Sequence, residues 1–339
     1  MDRSIDAVGV AQCFDLGVPD GPAELAGRGQ QGIVWRLVTG RGRFAIKELR
    51  IGQTEAEAAA DVAYQEAILS TGFVRMPRPL RTRDGTVLAV LDGYQLRAYE
   101  WVDLLPPDVD LDPTLVGATV GAIHHVDHDN SRPLDRWYTD PVGADRWDAI
   151  VAGLRATSCP FTELLAQDQA TLVGLEALMV PPTDLRNCHR DLFADNVLPT
   201  AAGGICVIDW ENCGLEDPSH ELAVVLYEFG AGRPERLRAL YAAYAEAGGG
   251  GRLRNRSDFT MLIAQFGHFV ESAARVWLDA FSTEGQRESA DARFHECHDS
   301  PLTVDAIDEI LDSVSGEADA DRVDGRPSTT IHGFGDSPT

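Results

Sequence analysis

Cys188-His189-Arg190-Asp191-Leu192-Phe193-Ala194-Asp195-Asn196-Val197-Leu198, followed after a Gly203-Gly204 turn by Val207-Ile208-Asp209-Trp210-Glu211, is the stretch on which the reading of this chain turns. An Asp precedes an Asn by five positions, and an apolar strand then brings back a second Asp. The spacing suits phosphoryl transfer. Asp191 would meet an acceptor hydroxyl, while the Asn196 side-chain oxygen and Asp209 would supply hard ligands for a Mg²⁺ ion between the phosphates. A polar surface loop can carry the same residues, so the upstream sequence has to supply the remaining parts in order.

It does. Residues 25–38 form a Gly-rich turn between two β-favouring runs, with Gly27, Gly29 and Gly32 at GxGxxG spacing. Glycines let backbone N–H groups approach phosphates, although a plain hairpin turn allows the same residues. A strand rather than a helix after the turn favours a kinase-type flap over a dinucleotide fold. Residues 44–49 read as the next strand. Its parity puts Ala45 and Lys47 on one face, with Ala45 against a purine and Lys47 reaching the α- and β-phosphates. Residues 54–71 are alanine-rich, acidic in the first turn and closed by Gly72, the pattern of a helix. Glu66 on its inner half is expected to pair with Lys47, and Glu57 is the second choice. Residues 86–91 and 94–102 make a hairpin across Asp92-Gly93. Tyr99 and Trp101 then fall where the backbone would offer C=O and N–H groups to a purine edge.

The rest is read as helices at 114–125, 147–156, 162–179, 221–229, 234–247, 257–277 and 304–314. These segments predict an α+β, bilobal fold. Residues 1–20 are a lead-in, 21–98 a β-rich nucleotide-binding lobe, 99–102 a hinge and 103–314 a helical lobe. The polar tail 315–339 is expected to be disordered. His295-Glu296-Cys297-His298 fits no structural zinc spacing and is read as a polar loop or helix surface.

A chain of 339 residues with 44% hydrophobic and 24% charged residues has ample material for two buried cores. Lys and Arg number 29 against 54 Asp and Glu, a formal charge of −25, which disfavours nucleic acid and anionic membrane as partners. The six cysteines show no CxxC pairing and are expected to be free thiols. No apolar leader or membrane-length run is seen, so the expected location is cytoplasmic.

With these parts assembled, residues 21–310 resemble the aminoglycoside phosphotransferase and choline kinase-like family, small-molecule kinases of protein-kinase-like fold. The resemblance rests on His189 to Asn196, on Ile208-Asp209-Trp210-Glu211, and on Asp217-Pro218-Ser219-His220-Glu221-Leu222-Ala223. The last is similar to a family Asp-Pro-x-x-Asp-Leu-Ala helix start, with Glu221 in place of the second Asp. Gly117 to His124 is similar to the family's Gly-containing helix ending in His. Arg190 stands where many members carry Gly, and Asp-Trp-Glu stands for Asp-Phe-Gly. The resemblance implies a Mg²⁺-dependent enzyme using ATP or GTP and phosphorylating a hydroxyl of a small acceptor. An aminoglycoside or other antibiotic is the preferred acceptor, with choline, homoserine or a sugar as the alternative. A protein kinase or a non-catalytic nucleotide-binding regulator is a further alternative. The short segment after Asp209 leaves no room for a peptide platform. Glu211, Glu216, Asp217, Glu221 and Glu228 suggest an acidic acceptor wall that would attract protonated amines.

Overall fold

The computed structural model describes residues 4–29, 32–129, 132 and 134–318. Its N-terminal region is built on a six-stranded antiparallel sheet. Helix α1 (Ala7–Cys13) precedes strands β1 (Glu24–Arg28), β2 (Gly32–Thr39) and β3 (Gly42–Leu49). Helix α2 (Glu55–Thr71) follows, then β4 (Pro79–Leu80), β5 (Ala89–Leu91) and β6 (Tyr94–Glu100). The sheet order is β1-β2-β3-β6-β4, with β5 also paired to β6. The β5–β6 turn uses Asp92 and Gly93, both at positive φ, as a two-residue hairpin requires.

Strand alternation sorts the faces of this sheet. Trp35, Leu37, Phe44, Ile46, Leu96 and Ala98 point to one side, where Val10, Ala11 and Phe14 of the α1 segment cover them. Residues 1–20 were read as a lead-in, yet Ile5 to Leu16 belong to the sheet's core. Their apolar run is too short to show helical periodicity, and its burial depends on a sheet made much later in the chain. The opposite face carries Ala45 and Lys47. Helix α2 has both halves of a capping box, Thr54 with Glu57, and ends at Gly72 in the left-handed conformation with φ 74°.

The C-terminal region is mainly helical: α3 (Pro113–His125), α4 (Arg136–Thr139), α5 (Ala144–Leu154) and α6 (Thr162–Glu176) precede the segment around Asp191 and Asp209. That segment contains the short strands β7 (Arg186–Cys188), β8 (Val197–Pro199), β9 (Ile205–Val207) and β10 (Gly214–Glu216). Then come α7 (Pro218–Gly230), α8 (Pro234–Glu246), α9 (Thr260–Leu278), α10 (Glu284–Asp299) and α11 (Val304–Ala318). Gly117 and Gly121 lie where α3 crosses α8, and an added Cβ on either would fall on the Leu240 or Tyr244 carbonyl oxygen. These glycines let the two backbones close together, which is the physical content of the Gly-containing helix motif.

Helices α4 and α10 were not expected. Among sixteen residues of α10 only Ala290 and Phe294 are buried, too few to leave an amphipathic signature, and Phe294 stacks on Phe161 at 4.1 Å. His295 and His298 lie on this helix, with His298 Nδ1 2.7 Å from Asp168 Oδ2. The expected tail began at Ser315, but α11 continues through Ala318. The remainder of that expectation, residues 319–339, lies outside the described residues. Among the described residues no helix is long and apolar enough to cross a membrane.

Candidate active site

The catalytic segment is pinned from below. Glu221, in the first turn of α7, is fully buried and accepts from the backbone N–H groups of His189 at 3.2 Å and of Arg190. Its Oε2 also meets His124 Nε2 at 2.7 Å, and His124 Nδ1 meets the Tyr244 hydroxyl at 2.9 Å. Burial pushes the Glu221 carboxyl up, but the His124 hydrogen bond and the other charged or N–H partners outweigh it and hold it below its ordinary value. His189 Nε2 bonds the Ile208 carbonyl oxygen at 2.8 Å and its ring meets Trp210 edge-on at 4.5 Å, tying the loop to the strand that ends at Asp209. Burial holds its imidazole below the ordinary value.

Arg190 is also internal. Its Nε donates to Asn212 O at 2.7 Å, its guanidinium lies 4.6 Å from the Tyr138 ring centroid, and its carbonyl accepts from Gln265 Nε2 at 3.1 Å. Arg190 and Asp209 both have left-handed backbone, φ 67° and 64°. Arg adopts this rarely and Asp more readily, and the surrounding hydrogen bonds hold the two turns that present Asp191 and Asp209.

Asp191 is half-buried. Asn212 Nδ2 donates to its Oδ2 at 3.1 Å, and Asn196 Nδ2 donates to its carbonyl oxygen at 2.9 Å. Burial, with Asp209 nearby, pushes the Asp191 carboxyl up to about 7. Lys47 Nζ lies 2.5 Å from Asp209 Oδ1 and 2.9 Å from Glu211 Oε2. Burial pulls its ammonium down, but Glu211 and Asp209 prevail and raise it. The structure thus gathers Lys47, Asp191, Asn196 and Asp209, residues separated by up to 162 positions, into one cluster.

Other expected residues are placed differently. Glu66 is exposed and pairs with Arg81 at 3.1 Å, while Glu57 is used in the α2 cap. Neither reaches Lys47. The α2 carboxylate that turns inward is Asp61, 3.2 Å from Arg97 and 2.8 Å from Arg132, and burial pushes it up to about 6. Tyr99 is the register partner of Ala45, and its hydroxyl donates to Glu211 Oε1 at 2.9 Å. The N–H groups of Glu100 and Trp101 donate to Arg78 O and Arg43 O, so these two of the donors in the expected hinge 99–102 are committed to neighbouring backbone. Gly29 N–H bonds Gly32 O at 2.9 Å beside the β1–β2 turn, whose residues 30 and 31 lie outside the described set. Among the described residues, an added Cβ at Gly27 or Gly29 meets nothing within 4 Å, whereas at Gly32 it would meet Glu48 O. Gly32 is therefore required by the close approach of β2 to β3, and the first two leave open space.

The acidic wall is not formed. Glu211, Glu216, Asp217 and Glu221 are buried, and only Glu228 is half-exposed, accepting from Ala194 N at 3.0 Å. Sequence position told where these carboxylates lie along the chain but not that they serve as internal hydrogen-bond acceptors. What stands beside the loop instead is aromatic. Phe193 lies 6.0 Å from Phe269, Phe269 lies 5.9 Å from Trp137, and all three rings are half-buried.

The chain has relatives among known proteins. The profile of the phosphotransferase enzyme family matches residues 23–256. A homoserine kinase of Pseudomonas aeruginosa is 30% identical over 253 residues, 68% of this chain and 71% of its own length. A spectinomycin phosphotransferase solved with ADP and spectinomycin superposes with a TM-score of 0.69 at 12% identity, covering 92% of this chain and 98% of its own. An amicoumacin kinase solved with AMP-PNP and Ca²⁺ gives 0.54 at 13% identity over 87% and 92%. The structural likenesses speak for the kinase-like fold.

Proposed function

Because the chain belongs to the phosphotransferase enzyme family, we propose that it transfers the γ-phosphate of ATP or GTP to the hydroxyl of a small-molecule acceptor. The observation that carries this is the convergence of Lys47, Asp191, Asn196 and Asp209. Asp209 and the Asn196 Oδ1, which Asn196 does not spend on Asp191, are a hard-oxygen donor set that fits Mg²⁺, and a bound ion would neutralise charge between the phosphates. Lys47 is aimed at the same place and would hold phosphate oxygens. The β1–β2 turn would cover them, with Gly27 and Gly29 leaving room for the backbone to approach.

Asp191 receives the acceptor. Asn212 fixes one of its oxygens, and the carboxylate would accept the hydroxyl proton as the hydroxyl oxygen attacks phosphorus and the nucleoside diphosphate leaves. The segment between Asp209 and α7 is only a 3-10 turn and β10, which pairs back onto β7. That return closes the space where a peptide platform would lie and favours a small acceptor over a polypeptide.

The half-buried rings of Phe193, Phe269 and Trp137 favour an antibiotic-type acceptor with an apolar or singly charged face over a polycation. A homoserine-type amino alcohol is the second reading, favoured by the 30% identical relative. A panel comprising a polyamine aminoglycoside, spectinomycin, homoserine, choline and a neutral sugar, read by nucleoside diphosphate release, tests both. Turnover confined to aminoglycosides of high charge would overturn the aromatic-face reading. Turnover of none, with phosphate transferred to a protein hydroxyl, would overturn the small-acceptor assignment.

A further inference from the structure

Lys47 and Arg97 are register partners on neighbouring strands β3 and β6, two cations directly opposite one another, both almost wholly buried. Like charges in that relation repel, so carboxylates from elsewhere must separate them. Two do. Glu211 inserts between them, with Oε2 2.9 Å from Lys47 Nζ and Oε1 3.8 Å from Arg97 Nη1. On the far side, Arg97 Nη1 lies 3.2 Å from Asp61 Oδ2 on α2, and Arg132 lies 2.8 Å from Asp61 Oδ1. Together with Asp209, these residues make an internal chain of alternating charge running from α2 to the nucleotide lysine.

The two carboxylates on Lys47 differ in kind. Asp209 has a side-chain exposure of 34% and opens to the cleft, where a metal ion would claim it. Glu211 has 5%, and both of its oxygens are already used, one by the Tyr99 hydroxyl and one by Lys47. A lysine held only by Asp209 would lose its partner when a cation binds. Glu211 has no such competing duty.

We propose that Glu211 is the positioning residue for Lys47, and that Asp61 on α2 acts through Arg97 to hold Glu211 in place. Helix α2 therefore sets the lysine through two intervening residues, Arg97 and Glu211, rather than through a glutamate of its own; Glu66 and Glu57 are engaged elsewhere. The proposal rests on the reading of Lys47 as a phosphate ligand, and the two can fail separately.

Calorimetric titration of ADP, which needs no turnover, into the full-length protein with and without Mg²⁺ is the test. Lys47→Ala is expected to weaken ADP by about tenfold or more, the loss of a charge-assisted hydrogen bond. Glu211→Gln is expected to weaken it by about threefold to tenfold, and the double variant to be no weaker than Lys47→Ala alone. Asp61→Asn should follow the same pattern with a smaller loss. Tyr99→Phe removes one hydroxyl and keeps the packing, so it serves where Glu211→Gln fails to fold. It should weaken ADP in the wild-type background and have no effect beside Lys47→Ala.

Unchanged ADP affinity in Lys47→Ala would sink the phosphate-ligand reading and the proposal with it. A normal Lys47→Ala loss with additive Glu211→Gln and Tyr99→Phe losses would overturn the positioning role alone. So would a Glu211→Gln effect that appears only with Mg²⁺ and moves the metal requirement, since Glu211 would then be a metal ligand.

Discussion

His124 and Glu221, ninety-seven residues apart, meet at 2.7 Å in an interior that admits no water to either side chain. The pair anchors the loop that carries Asp191, because the same carboxylate accepts from the two backbone N–H groups just before it. Glu221→Ala leaves those donors and His124 without their acceptor. It is expected to lower the unfolding free energy by roughly 3–5 kcal/mol, read from the urea midpoint. Because the folded carboxyl sits below its ordinary value, its contribution is present above about pH 4.5 and fades as pH falls through the folded value. A midpoint within error of the parent would remove the anchor from this account.

Asp191→Asn separates function from stability. Turnover should drop by about 10³-fold with nucleotide affinity kept, as for loss of a proton acceptor. The folded carboxyl is raised to about 7, so ionisation favours the unfolded state increasingly as pH rises from about 4 to 7. The neutral amide escapes that cost. At pH 8 the variant should be more stable than the parent by about 1–3 kcal/mol, a range discounted for half-burial, and the gain should shrink toward pH 4. Melting curves at both pH values check the sign.

The glycine turn offers a paired comparison. Gly32→Ala drives a methyl into the Glu48 carbonyl and should lower the melting temperature by several degrees, about 1–3 kcal/mol of overpacking. Gly27→Ala meets open space and should leave melting unchanged while raising KM for nucleotide. Equal melting of the two variants would show that β2 can shift away from β3.

Trp137→Ala tests the acceptor face. It should lower kcat/KM for the acceptor by about tenfold, the usual scale for losing a well-packed aromatic contact, and leave KM for nucleotide alone. A matching change in nucleotide KM would mean that the ring only supports Arg190 through neighbouring Tyr138.

Much of this fold is legible wherever local chemistry decides it. The Asp92-Gly93 hairpin, the α2 cap at Thr54 with Gly72 at its end, and the amphipathic stripe of α9 all follow from residues within a few positions of each other. The cluster of Lys47, Asp191, Asn196 and Asp209 is legible for a different reason, because motif spacing encodes it. What the sequence hid is the partner of each buried charge. Arg97 in the middle of Tyr94 to Glu100 is a signal, a cation at an interior strand position that demands a carboxylate, but nothing local says that Asp61 and Glu211 supply it. Likewise Glu221 and Glu216 look like surface acids until α7 is packed. For Glu221 the carboxylate's place is set by tertiary neighbours, the Arg190 N–H 31 residues away and His124 97 residues away.

The α1 segment has a consequence for how the chain is made. Val10, Ala11 and Phe14 are synthesised well before part of the surface that covers them, Leu96 and Ala98, which follows more than eighty residues later. At roughly 5–20 residues per second a ribosome needs about 4–17 seconds to supply it. For that interval the nascent chain carries an apolar ribbon with only part of its cover in place, a natural handhold for a chaperone. A tag fused ahead of Ile5 would act on this waiting period, so its cost should appear in soluble yield before it appears in the activity of the finished enzyme.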